Sequence, residues 1–146
     1  MAIWFECKIR YDKTMDDGKI RKVTETYMVD ALTFTEAEKR FLEEMEPYMS
    51  GEYEVAGIRK ARIAELMASN DANDDRWYRV KVAFITIDEK TDAEKRSNST
   101  MLVQARDLKT AVANVEHGMA GTMVDYVLVS ATETAILDVF PYEKKD

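Results

Sequence analysis

The stretch WFECKIRY at residues 4–11 returns as WYRVKVAF at residues 77–84. Trp4 meets Trp77, Phe5 meets Tyr78, Cys7 meets Val80, Lys8 meets Lys81, Ile9 meets Val82 and Tyr11 meets Phe84, at a constant spacing of 73. Past the first connection the spacing becomes 74, pairing Thr26 with Thr100, Val29 with Val103, Ala37 with Ala111 and Met45 with Met119. It then returns to 73, with Tyr53 against Tyr126 and Ile63 against Ile136. Single-residue shifts fall where loops should be. The chain is therefore one unit of about 65 residues used twice. The repeats run over about 3–68 and 76–141, with a linker-like stretch at about 69–75.

Each repeat carries the same local signals. In the first, Phe5, Cys7, Ile9 and Tyr11 alternate with Glu6, Lys8 and Arg10, the period of a half-buried strand. Asp17-Gly18 marks a turn, and Val23, Tyr27 and Val29 form the inward side of a second strand. Thr33 and Glu36 make a capping-box pattern at a helix start. Phe34, Ala37, Phe41, Met45 and Tyr48 then fall on one helical stripe, closed by Pro47 and Ser50-Gly51. An extended run follows from Tyr53 to about Met67, with a bend or bulge at Gly57. In the second repeat a strand spans Trp77 to about Ile87, and the polar loop DEKTDAEKR replaces the tight turn. Met101, Val103 and Ala105 point inward, Asp107 takes the capping place, and Leu108, Ala111, Val112, Val115 and Met119 form the helix stripe. Residues 126–140 read as one long or bent strand. The expected fold is α+β, an internal duplication of a ββαβ(β) unit with antiparallel sheets and one helix per unit. A single unit would leave its edges exposed, so a pseudo-twofold arrangement of the two is expected.

Composition narrows the function. The 146 residues are 46% hydrophobic, ample for a core, and the net charge of −7 disfavours wholesale wrapping of duplex DNA. Cys7 is the one cysteine, which fits a reducing compartment. No apolar run reaches signal-peptide or membrane-span length, so a soluble cytoplasmic protein is expected.

Catalytic signals are weak. His117 and Cys7 occupy non-equivalent positions in different repeats, and Cys7 lies on the apolar side of a strand where a core residue belongs. DANDD at 71–75 starts like a calcium loop, but Arg76 stands where the glycine belongs and Val82 where the closing glutamate belongs. No glycine-rich phosphate loop or spaced metal-ligand set is present, so no enzyme activity, metal or cofactor is expected. The acidic residues at 36–46 suit a solvated helix face. Met45, Met49, Met119 and Met123 recur at equivalent places, as gap-fillers or as an adaptable binding surface.

One constellation points to a partner. Trp4, Lys8 and Arg10 share a strand face, as do Trp77, Arg79 and Lys81, and Arg21 lies on the next strand. Aromatic and basic side chains on one sheet face are what single-strand binders use, a stacked base contributing about 1–3 kcal/mol. These seven residues are the candidate interface for single-stranded nucleic acid or a nucleic-acid-handling complex. The alternative is a protein–protein or homo-oligomeric module working through strand edges and methionines.

WFECKIRYDKT, VTETYMVDALTFTEAE, EEMEPYMSGEYEV, DDRWYRVKVAFITIDEK, MLVQARDLKTAV, GTMVDY and ETAILDVFPY together resemble an uncharacterised family of gut Bacteroidota, their mobile elements and phages. The likeness covers nearly the whole chain. It implies a bacterial or phage cytoplasmic setting, with roles in replication, packaging or host interference to consider. The family is described only as a domain of unknown function, so no site residue is implied.

Overall fold

A computed structural model describes residues 3–142. Strand β1 (Trp4–Thr14) turns back through Gly18, at φ +81°, into β2 (Ile20–Asp30). Thr33 caps helix α1 (Phe34–Met45), its hydroxyl accepting from the Glu36 N–H at 3.1 Å. A short 3-10 turn (Glu46–Tyr48) carrying Pro47 follows, then β3 (Tyr53–Ala61) and β4 (Glu65–Met67). The second repeat gives β5 (Arg76–Ile87), β6 (Glu94–Ala105), α2 (Leu108–Gly118), β7 (Asp125–Glu133) and β8 (Ile136–Phe140). Asp107 caps α2, its carboxylate accepting from the Thr110 N–H at 2.7 Å. Both caps stand where the capping pattern put them.

Two four-stranded sheets result, ordered β3-β1-β2-β8 and β4-β6-β5-β7. Replacing each strand by its repeat counterpart turns one order into the other read backwards, the duplication expressed as topology. The sheets are mixed rather than antiparallel as expected, because β8 lies parallel to β2 and β4 parallel to β6. Residues 126–140 do not form one strand. Residues 134–135 divide them into β7 and β8, which belong to different sheets. The last strand of each repeat leaves its own sheet and completes the other.

The compact units consequently differ from the repeats. One comprises the chain up to Arg62 together with the segment from Ala135, and the other is Ile63–Thr134. Each has its own core between helix and sheet. In the first, Phe5, Cys7, Ile9 and Val29 meet Ala37, Phe41 and Met45 of α1. Tyr27 stacks on Phe140 at 5.6 Å and lies 5.8 Å from Phe41. In the second, Tyr78, Val80, Val82, Met101 and Val103 meet Ala111, Val115 and Met119. Gly57 lies at a register irregularity in the β1–β3 ladder, where Lys8 pairs with Gly57 and Ile9 with Val55. The equivalent irregularity in β5–β7 leaves Val129 as the extra residue.

Candidate functional site

Period-two alternation places Trp4, Lys8 and Arg10 on the β1 face turned away from α1, and Trp77, Arg79 and Lys81 on the matching face of β5, as expected. What that face offers is different. Trp4 is 6% exposed and Trp77 4%, so neither indole presents a ring face on which a base could stack. Met28 and Leu102 on the same faces are fully buried. Arg10 donates to Glu54 at 3.2 Å and to the Thr24 hydroxyl at 3.4 Å. Glu6, nearly buried on this face, accepts two hydrogen bonds from Arg59. Arg21 pairs with Lys13, which shares parity with Ile9 and Tyr11, so it sits on the opposite face from Lys8 and Arg10. Lys8, Arg21 and Lys81 remain exposed and form no ion pair among the described residues.

The linker-like stretch is a built loop. Ser69 donates its hydroxyl to Asp74 and its N–H to the Gln104 side chain at 2.9 Å. Arg106 donates to Asp71 at 2.7 Å and to Asp74 at 3.2 Å. Asp74 is 5% exposed, and the Ser69 hydroxyl bond, followed by Arg106, holds its carboxyl below the usual range. DANDD thus ties β4 to the second sheet. Arg40 does the same for β8, its guanidinium donating to the carbonyls of Asp30 and, at 3.1 Å, Pro141, and lying 5.3 Å from the Tyr142 ring.

A depressed folded-state pKa contributes stability above the unfolded value, about 3.9, and loses it as pH falls through the folded one. The stability gap between the native chain and Asp74→Asn is therefore expected to be widest above about pH 4 and to close at lower pH. Urea midpoints of both proteins across that range check it, and a gap that does not vary with pH would remove the clamp.

His117 is exposed near the end of α2, beside a groove of about 420 Å³ also lined by Met67, Ser69 and Asn114. Two of its polar side chains are occupied, Ser69 by Asp74 and Asn114 by the Gln104 carbonyl at 3.1 Å. No group of three or more His, Cys, Asp or Glu among the described residues could hold a metal. Among the described residues no helix is long and apolar enough to cross a membrane.

The feature that sequence reasoning passed over is the outer edge of β7, which pairs with no strand among the described residues. Residues 126–132, YVLVSAT, hold no charge, proline or glycine, and β7 ends its sheet. Val127 and Val129 are 38% and 51% exposed, and just before the strand Met123 is 97% exposed. The repeat counterpart β3, YEVAGIRKA, carries Glu54, Arg59 and Lys60 along its edge, the usual guard against strand pairing. Met49, the counterpart of Met123 by repeat position, is packed against its core. The signal was present as a missing set of charges, visible only when the two repeats are compared at their edges.

No curated protein and no solved structure matches the chain. A family model does match, over residues 3–142, and the chain belongs to that family, described as Domain of unknown function (DUF4494).

Proposed function

We propose that the protein is a non-enzymatic binding module of the bacterial or phage-infected cytoplasm, and that it takes up another protein as an extended segment along β7. The unguarded edge carries this reading: an open strand edge holds a row of backbone groups that another strand satisfies. Asp125 flanks the uncharged stretch at one end and Glu133, which also meets Arg76 at 3.5 Å, at the other. The fitting segment is therefore β-branched or apolar in its middle with Lys or Arg at its ends. Asp125 offers its anion without an ion pair among the described residues. A second copy of β7, centred on Val129, would set Asp125 against Glu133, and like charges placed opposite destabilise a pair.

A Lys-(Thr-Val)3-Lys peptide, its Glu-flanked equivalent and a single-stranded oligonucleotide serve as probes in fluorescence anisotropy. The Lys-flanked peptide is expected to bind at least about 10-fold tighter than the Glu-flanked one, a difference of about 1.4 kcal/mol. Binding is expected to be lost when Val127→Lys and Val129→Lys restore an edge guard; both side chains are exposed, so the fold tolerates the change. Equal binding of both peptides, or of the guarded variant, overturns the reading. Salt-sensitive oligonucleotide binding without peptide binding would replace it with a nucleic-acid role, a second reading to which the exposed Lys8 of one unit and the exposed Lys81 of the other each lend support.

A further inference from the structure

Neither repeat closes its own sheet, and chain geometry explains why. In the first unit β2 and β3 both run antiparallel to β1, so they are parallel to each other, and β8 is parallel to β2. The fourth place in that sheet lies three strand spacings from β3, about 14 Å, and its occupant runs in the same direction as β3. For β4 to fill it, the chain leaving Ala61 would have to cross the sheet and return along its length. Such a parallel connection takes a dozen or more residues. Only residues 62–64 stand between β3 and β4, and the extended step from Ala61 to Glu65 reaches at most about 14 Å. Between β7 and β8 stand only residues 134–135, with a reach of about 11 Å. Tether length alone sends each last strand out of its own repeat.

What receives the strand is the same slot in both cases. β8 enters beside β2 and β4 beside β6. Met67, which stands 73 residues before Phe140, packs against the second core as Phe140 packs against the first. Arg106 ties the loop after β4 to its new sheet, and Arg40 ties the residues after β8.

We infer that each repeat is an obligate donor and acceptor of a strand, so that neither repeat folds without the other copy to complete its sheet. The slot each donated strand fills is the side of β2 taken by β8 and the side of β6 taken by β4. This inference is independent of strand addition at β7.

Inserting a protease site between Ala72 and Asn73, both exposed at the tip of the 69–75 loop, tests it in the full chain. After native cleavage the two pieces are expected to co-elute one to one, to separate in concentrated guanidinium, and to recombine on dilution. A tagged sample unfolded and refolded with an untagged one should yield mixed pairs. Met67→Asp with Val139→Asp is expected to abolish co-elution at micromolar concentration. Pieces that part after native cleavage overturn the inference, as does either piece behaving alone as a cooperatively folded monomer. Co-elution that survives both Asp substitutions would assign the association to something other than the exchanged strands, and also overturns it.

Discussion

A chain ended at Ala135, and so without β8, is expected to lose the fold of its first unit. Ile136 and Val139 are 5% and 8% exposed, and burying an aliphatic side chain of this size contributes about 1.5–3 kcal/mol. Phe140 is stacked on Tyr27, and the deletion also strips β2 of its parallel ladder and Arg40 of the Pro141 carbonyl. Together these losses are on the order of 5 kcal/mol or more, comparable with the whole stability of an ordinary domain. Cys7 supplies the readout. It is fully buried, and its thiol is pushed up to about 12, by burial first and by Glu6 second, so at neutral pH almost no reactive thiolate is present. In the intact chain a thiol reagent should label Cys7 only when the unit opens. In the shortened chain labelling should approach the rate seen in urea, and continued protection would mean that three strands and α1 suffice.

Phe41→Ala is expected to cost about 3–5 kcal/mol. Phe41 is fully buried at the centre of α1, between Ala37 and Met45 on the inward stripe, and its ring meets Tyr27. Removing it leaves a cavity bounded by sheet and helix that neither can close without breaking its own ladder. Leu32→Ala is the control: Leu32 is 70% exposed, and its loss should stay within about 0.5 kcal/mol. Urea denaturation of the two variants decides the matter. A loss below about 1 kcal/mol at Phe41 would mean that α1 is not anchored through this stripe.

Local signals carried the elements, and non-local pairing carried what they could not. Alternation in WFECKIRY and WYRVKVAF, the stripes through Phe41 and Val115, and the caps at Thr33 and Asp107 are written in neighbouring residues, and all appear in the fold. The crossings at residues 62–64 and 134–135 contain no glycine or proline to announce them. Which sheet a strand joins depends on tether length against the width of the sheet, which no short window records. Alternation also divides a strand into two faces without saying whether both are covered. The adjacent aromatic pairs Trp4-Phe5 and Trp77-Tyr78 were the available sign, since strands covered on both faces lose their strict alternation. Arg21, counted in the interface from its place on the next strand, lies opposite Lys13 and so on the other face from Lys8 and Arg10. The 69–75 loop looked like a linker because its acids were read as solvated, whereas Ser69, Gln104 and Arg106 organise them.

The exchange of last strands also sets an order of birth. The second unit is contiguous, Ile63–Thr134, and has every strand it needs once that stretch has been synthesised. The first unit begins the chain yet finishes after it, because the outer edge of β2 waits for residues 136–140. Domains made on the ribosome ordinarily mature from the N-terminus onward, at about 5–20 residues per second. Here the earlier-made unit is completed last, and a nascent chain carries an unsatisfied β2 edge until residues 136–140 emerge. A stop between Thr134 and Ile136 would leave the second unit whole and spoil the first, which had been made before it.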